Sequence, residues 1–260
     1  MPREQRLRPK FRLLHSRLLI ASLLIFVAAV GSAANLPWSC ARQVVLVTTS
    51  DCDAHEGELQ KFDMTKQGWQ PLAAPVTVTI GRQGSAWGIG LHPTSQSGPK
   101  KKEGDGRSPA GVFRIGKAYG YAESFDTALP YEAMTATDYC IDVSDSPLYN
   151  RIVDTKVVGE KAIEGSTEPM RRDIHVNGDH RYKVGFVIEH NSEGGAALGS
   201  CIFAHIWKAP GVPTAGCTAM DEAAMATLLA WLDPKQEPIF VLLPRTEYAR
   251  VRAQWRLAKV

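Results

Sequence analysis

The chain has 260 residues and a formal net charge of +3, from 30 Lys and Arg against 27 Asp and Glu. Residues 1–33 hold six of the basic residues and one acid, so the rest carries 24 basic and 26 acidic residues, a net charge of −2. This balance gives no basic tract of the kind that binds nucleic acid or an anionic membrane surface. The roughly 226 residues after residue 34 are enough for one core and suit a single β-rich domain.

The N-terminus has the pattern of a secretory signal peptide. Basic residues between Arg3 and Arg17 precede an apolar run from Leu18 to Val30, and small residues follow up to Ala34. The run of 13 residues is shorter than the about 20 that cross a bilayer, and an uncleaved anchor helix is the alternative. We predict a signal peptide over residues 1–34 and one periplasmic or secreted domain over 35–260, without stable membrane association.

Short strand patterns follow, separated by Gly, Pro and polar turns. The first lies at 43–49, and alternating patterns come at 58–64 and 76–80. The stretch 81–111 is dense in Gly, Pro, Ser and Lys, which predicts a long surface loop. Further strands are predicted at 111–115, 139–143, 184–190, 200–206 and 238–243. The pattern predicts a mainly β fold, a sandwich or barrel-like arrangement of mixed sheets.

Two helices are predicted near the C-terminus. Asp221 is a capping residue for a helix over 222–232, with Pro234 closing it. Thr246 is a capping residue for a terminal helix that runs to Arg256. The chain shows no internal repeat or linker, so one domain is the simplest interpretation.

One segment combines a histidine, a glycine and a cysteine in an order that suits nucleophilic catalysis. His205 ends an apolar strand pattern, and Cys217 lies twelve positions later, after a Pro/Gly loop. Gly216 lets backbone N–H groups converge beside the sulfur, as an oxyanion hole requires. The helix predicted after Asp221 would lower the pKa of a partly exposed Cys217 thiol. An isolated Cys or His is more often structural. Their combination with Gly216 leaves two interpretations open, a structural role and a pair in which Cys217 is the nucleophile and His205 the general base.

Five cysteines follow the signal segment, and an odd number in an oxidising compartment leaves one thiol free. With Cys217 free, four cysteines allow three pairings. We predict Cys40–Cys52 and Cys140–Cys201. No metal site or cofactor is predicted, because the spacing of the histidines at 175, 180 and 190 matches no ligand motif.

Two segments resemble the YkuD-type L,D-transpeptidase catalytic domain. The first is His205, the Pro/Gly loop and Thr214-Ala215-Gly216-Cys217, and the second is the Ser-Pro-x-Gly-x-Phe turn at 108–113. The resemblance implies a mainly β fold whose cysteine is acylated by the third residue of a peptidoglycan stem tetrapeptide. The terminal D-alanine leaves, and an amine or water resolves the thioester. It also implies oxyanion donation by the N–H groups of Gly216 and Cys217 and orientation of His205 by a backbone carbonyl.

The chain departs from the family pattern at two positions. Ala215 replaces the usual His before Gly-Cys, and Ala219 replaces the Arg or Asn two places after the cysteine. Other residues are therefore expected to contact the substrate. Arg171 or Arg172 is expected to bind the substrate carboxylate, and the lysines at 100–102 are competing candidates. The expected contact residues are Thr214, Arg171, Arg172, Tyr182 and Trp207, with Glu168 as a further polar group.

Three functions remain open from the sequence. The first is an exported cysteine acyltransferase that cross-links or remodels peptidoglycan, acting as a monomer on stem peptides without a cofactor. The second is a hydrolase, in which water resolves the same acyl-enzyme and the protein acts as a carboxypeptidase, endopeptidase or amidase. The third is a non-catalytic domain that binds the cell wall. The pair formed by Cys217 and His205 favours an enzyme.

Overall fold

A computed structural model describes residues 36–260, and the predicted signal peptide at 1–34 lies outside the described residues. The strands are β1 (Gln43–Thr49), β2 (Glu56–Thr65), β3 (Gly68–Pro71), β4 (Val76–Thr79), β5 (Ser85–Trp87), β6 (Ser108–Gly120), β7 (Tyr131–Ala133), β8 (Asp138–Cys140), β9 (Ile152–Asp154), β10 (Glu168–Pro169), β11 (Val184–Ile188), β12 (Phe203–Ile206), β13 (Thr218–Met220) and β14 (Ile239–Pro244). The α-helices are α1 (Thr155–Val158), α2 (Arg172–His175), α3 (Glu222–Trp231) and α4 (Arg245–Val251).

The main sheet has eleven strands and closes on itself. Eight of them run in the order β1-β14-β6-β11-β12-β13-β4-β2, and β2 pairs back with β1. β3 is added beside β2, and β5 and β7 beside β6. The pairing is mixed: β1 with β14 and β12 with β13 are parallel, and the other six pairs of the closed path are antiparallel. The prediction of a mainly β, barrel-like fold with mixed sheets is confirmed.

β1 and β14 are buried along their whole length. Every residue of both strands is buried, and the parallel register pairs Val44 with Ile239. Both faces of these strands are covered, which is why they are nearly continuous apolar runs and not alternating ones. β14 also pairs with β6, where the buried Phe240 lies opposite the buried Phe113, so the core continues from β14 onto β6.

Helix α3 follows the predicted pattern. The Asp221 carboxylate accepts a hydrogen bond from the Ala224 N–H at 2.9 Å, which satisfies one of the free donors at the helix start. Met225, Leu228 and Leu229 form its buried face. No helix in residues 36–260 is long and apolar enough to cross a membrane.

The terminal helix is shorter than predicted and begins one residue before the predicted cap. α4 starts at Arg245 directly after β14, with Pro244 at its N-cap, so Thr246 lies inside the first turn and caps nothing. The helix ends at Val251. Trp255 then packs its ring against Trp38 at 5.6 Å, which holds the last residues of the chain against the core in turns.

One of the two predicted disulfides is present. Cys140 and Cys201 are bonded with a Cα–Cα distance of 5.9 Å, which ties β8 of a small three-stranded sheet (β10-β8-β9) to the segment before β12. The predicted Cys40–Cys52 bond is wrong, because both residues are free and exposed. The seven-residue strand β1 lies between them and extends for roughly 23 Å. A disulfide requires Cα atoms within about 7 Å.

Candidate active site

The connection between β12 and β13 brings Cys217 beside His205. The two strands are adjacent and parallel, with Ala204 opposite Thr218 and His205 opposite Ala219. Cys217 immediately precedes β13 and therefore reaches the start of β12, where the Phe203 N–H donates to its Sγ at 3.3 Å. Phe203 and His205 lie on the same face of β12 because side chains alternate along a strand.

The Cys217 thiol is enclosed. Only 8% of the residue is exposed, and its Sγ donates to the Cys201 carbonyl at 3.4 Å. Burial, followed by the negative charge of Glu168, raises the pKa of the thiol to about 12. The expectation of a partly exposed thiol with a lowered pKa is wrong. The three residues of β13 separate Cys217 from the start of α3, and the helix dipole acts only over the first turn.

Two hydroxyl groups fix the turn that carries Cys217. Ser108 Oγ and Thr214 Oγ1 both donate to the Cys217 carbonyl, at 3.0 and 2.6 Å. The Gly216 N–H donates to Thr214 Oγ1 at 3.1 Å, so one of the two expected oxyanion donors is already used. The Cys217 N–H is the remaining expected donor. Gly216 also permits a close approach, because an ideal Cβ there would lie 3.1 Å from the Arg107 carbonyl oxygen.

The imidazole of His205 is oriented by a backbone carbonyl. Its Nδ1–H donates to the Ile206 carbonyl at 2.8 Å, which leaves Nε2 as the unprotonated nitrogen. Within residues 36–260 this Nε2 has no hydrogen-bond partner. Burial lowers the pKa of His205 to about 4, so the ring is neutral at pH 7. The Tyr182 ring packs edge-on against it at 5.2 Å.

Cys217 and His205 line one cavity of about 260 Å³. Its wall also holds three acids, Glu103, Asp142 and Glu168, and four cations, Arg82, Lys101, Arg172 and Arg181. Glu168 accepts a short hydrogen bond from the Tyr182 hydroxyl, and burial raises the pKa of its carboxyl group.

The structure places only some of the expected substrate contacts in this cavity. Thr214, Gly216, Tyr182 and Arg172 line it, together with Cys217 and His205. Arg172 donates to Asp179 at 3.1 Å and lies 3.8 Å from Glu168.

Arg171 and Trp207 are not among the residues that line the cavity. Arg171 makes two hydrogen bonds to the Asp173 carboxylate, at 2.8 and 2.7 Å, and lies over the Tyr121 ring. Trp207 continues from β12, and its N–H donates to the Met220 carbonyl.

No role was predicted for Arg82, Glu103, Arg181 or Ser108. Arg82 and Glu103 lie in the stretch 81–111 that was predicted as a surface loop, where charged residues are usually solvated. A signal for Ser108 did exist, because it begins the Ser-Pro-x-Gly-x-Phe segment. The hydrogen bond from Ser108 to Cys217 joins that segment to the one containing the nucleophile.

The described residues contain no group of three or more His, Cys, Asp or Glu side chains that could hold a metal ion. The three histidines considered for such a cluster bind separate backbone carbonyls. His175 contacts Ala136, His180 contacts Trp207, and His190 contacts Leu198.

Comparison with known proteins gives little beyond this geometry. No family model matches the chain, and no curated protein matches it. Among solved structures, it is similar to the helical cell shape determining protein Pgp2 from Campylobacter jejuni, with a TM-score of 0.36 and 11% identity. The match covers 78% of this chain and 48% of that chain, so it spans about half of Pgp2. A likeness this distant carries no argument about function.

Proposed function

We propose that this protein is an exported cysteine acyltransferase of the L,D-transpeptidase type, acting on peptidoglycan stem tetrapeptides. One observation carries the proposal. Cys217 and His205 line the same cavity, and the hydrogen bond from His205 Nδ1 to Ile206 leaves Nε2 free to accept a proton. A thiol beside a base that is itself oriented by a third group is the arrangement used in nucleophilic catalysis.

In the proposed reaction, Cys217 Sγ attacks the carbonyl carbon of the third residue while His205 Nε2 takes the thiol proton. In this proposal the Cys217 N–H donates to the oxygen that becomes negative. The carbon–nitrogen bond to the terminal residue then breaks, and His205 returns the proton to the departing amine. The thioester is resolved by an incoming amine, which loses a proton to His205 as the new amide forms and Sγ leaves.

The substrate class rests on the two segments that resemble the L,D-transpeptidase family. Their contact through Ser108 and Cys217 supports the resemblance, because a shared motif pair would have to meet at the site. An oxidising compartment is supported by the Cys140–Cys201 disulfide, since such bonds persist mainly outside the cytosol.

Product analysis tests the function directly. The chain without residues 1–34 is incubated with purified muropeptides, and the products are identified by mass spectrometry. An acyltransferase produces cross-linked dimers and free D-alanine, whereas trimmed stems alone would assign the hydrolytic alternative. Cys217→Ala abolishes either product, and Cys52→Ala, which removes an exposed thiol outside the cavity, is the matched control. Unchanged muropeptides with the native protein would contradict the proposal and leave the wall-binding alternative.

A further inference from the structure

Four cations line the cavity, and three of them are already paired. Lys101 donates to Asp105 at 2.6 Å, and its side chain is only 4% exposed. Arg172 and Arg181 both pair with Asp179. The fourth cation, Arg82, makes no side-chain hydrogen bond or ion pair with any residue in 36–260.

The acids of the cavity wall are also satisfied by the protein. Glu103 accepts hydrogen bonds from the hydroxyl groups of Tyr149 and Ser200, and Asp142 accepts two from Thr167. Glu168 accepts from Tyr182. None of these carboxylates contacts Arg82, so the free charge in the wall is a guanidinium.

The backbone of Arg82 is fixed to the turn that carries the nucleophile. Its N–H donates to the Thr214 carbonyl at 2.9 Å. The preceding Gly81 N–H donates to Ser108 Oγ, the same hydroxyl that donates to the Cys217 carbonyl. An ideal Cβ on Gly81 would lie 2.4 Å from the Gly106 carbonyl oxygen, so only glycine allows this approach. The backbone of Arg82 is therefore held at the edge of the cavity by the fold, while its side chain is exposed.

We propose that Arg82 binds the substrate's free carboxylate and so determines specificity for an acidic peptide end. This inference rests on the proposed function. A guanidinium presents a planar fork that matches a carboxylate with two parallel hydrogen bonds. The position normally occupied by Arg in the resembling family holds the buried Ala219, and the cations at 101, 172 and 181 have partners. Arg82 is the one cation of this wall that can bind a carboxylate without first losing an internal ion pair.

A first experiment needs no peptide substrate. Alkylation of Cys217 is measured by peptide mapping with iodoacetate, which is an anion, and with iodoacetamide, which is neutral. The ratio of the two rates cancels the thiolate fraction and reports the positive potential at the sulfur. In Arg82→Gln we expect this ratio to fall by about threefold at low salt. Arg151→Gln, which changes an exposed arginine outside the cavity, is the matched control.

A second experiment uses a stem tetrapeptide with a free C-terminal carboxylate and the same peptide as its C-terminal amide. The native protein prefers the free acid in kcat/KM. Arg82→Gln reduces this preference by about tenfold, mainly through KM, and Arg82→Lys restores part of it because it keeps the charge. Arg151→Gln leaves the preference unchanged.

The outcomes separate the two proposals. Turnover of both peptides with an undiminished preference in Arg82→Gln overturns the assignment of Arg82 and leaves the proposed function intact. An unchanged alkylation ratio in that variant also overturns it. Absence of turnover in the native protein, with a lowered alkylation ratio in Arg82→Gln, contradicts the proposed function and still supports carboxylate binding at Arg82.

Discussion

Cys217 and His205 are both almost fully enclosed, with 8% and 4% of their surfaces exposed. Burial penalises the charged form of each group, which moves the pKa of the thiol up to about 12 and that of the imidazole down to about 4. At pH 7 the free protein therefore holds a neutral thiol beside a neutral imidazole. The proton must move during the attack on substrate, when water has left the cavity and the peptide carbonyl is in place.

This protonation state predicts the order in which the free thiols react. At pH 7, Cys217 is alkylated by iodoacetamide more slowly than Cys40 and Cys52, because its thiol is enclosed with a raised pKa and theirs are exposed. Quenched time points followed by peptide mapping give the three rates. A faster reaction at Cys217 than at both exposed thiols would show that the thiolate is already formed in the free protein.

A second prediction concerns His205, the proposed general base. His205→Ala lowers kcat by roughly 10²–10⁴-fold, the range expected for a positioned general base. His55→Ala, which changes an exposed histidine, is the control and keeps the native rate. The native acid limb of kcat/KM lies near pH 4, because the imidazole stays unprotonated down to its lowered pKa. A native rate and an unchanged pH profile in His205→Ala would remove this residue from the mechanism.

Among the elements, the sequence predicts those whose residues carry a periodic pattern. β1 matches its predicted bounds, β4 ends one residue early, and β14 is shifted by one residue at both ends, because long buried runs and strict alternation are visible in the residues. Two- and three-residue strands such as β5 and β10 have no such pattern. They form because neighbouring chain segments offer hydrogen-bond partners, which sequence neighbours do not reveal.

The sequence also predicted some parts of the candidate site and not others. The order of His205, Gly216 and Cys217 along the chain was sufficient to predict that these residues lie in one cavity, and they do. The enclosure of the thiol and the free guanidinium of Arg82 depend on the β4–β5 connection and on the small sheet, both distant in sequence. The ion pair of Arg171 with Asp173, two residues away, was equally invisible without side-chain geometry.

The Cys140–Cys201 bond is the covalent link between the small sheet and the segment before β12. Replacing both residues by Ser frees a loop with a sequence separation of 61 and lowers the free energy of unfolding by about 4 kcal/mol. Activity also falls, because the disulfide anchors the segment before β12, and the backbone carbonyl of residue 201 in that segment accepts the Cys217 thiol. Urea unfolding at equal protein concentration measures the change, with Cys40→Ser as the control. Equal midpoints for the double variant and the native protein would contradict a stabilising role.

Across the whole molecule, long connections join the strands of the closed sheet, and hydrogen bonds from buried polar side chains fix these connections in place. His190 is 2% exposed and joins two such connections. Its Nδ1 accepts the Ile89 N–H at 3.1 Å, and its Nε2–H donates to the Leu198 carbonyl at 2.9 Å. Only the neutral ring can accept at one nitrogen and donate at the other. Burial accordingly lowers the pKa of His190 to about 4.

The requirement for a neutral His190 makes the free energy of unfolding depend on pH between about pH 6.5 and pH 4. The folded-state pKa of His190 lies below its ordinary value of 6.5, so its contribution is complete above pH 6.5 and is lost as the pH falls towards 4. The loss from this residue is about 3 kcal/mol, and His205 acts in the same direction. Asp179, whose carboxyl pKa is lowered, loses its contribution only below its ordinary value of 3.8.

Urea unfolding between pH 7 and pH 4 measures this dependence. The native protein loses several kcal/mol across the window, whereas His190→Gln starts less stable and shows a shallower decline. A native stability that is flat from pH 7 to pH 4 would contradict the assignment of a neutral, buried His190.

In the proposed mechanism Cys217 carries the acyl group of a stem peptide, and intact-protein mass spectrometry of quenched reactions detects this intermediate. After mixing with a stem tetrapeptide, the native protein should gain the mass of the tripeptide acyl group, and proteolysis should place this adduct on the peptide containing Cys217. The adduct should be absent in Cys217→Ala and should be released by hydroxylamine, as a thioester is. Cross-linked product formed by Cys217→Ala, or an adduct located on Cys40 or Cys52, would contradict the account.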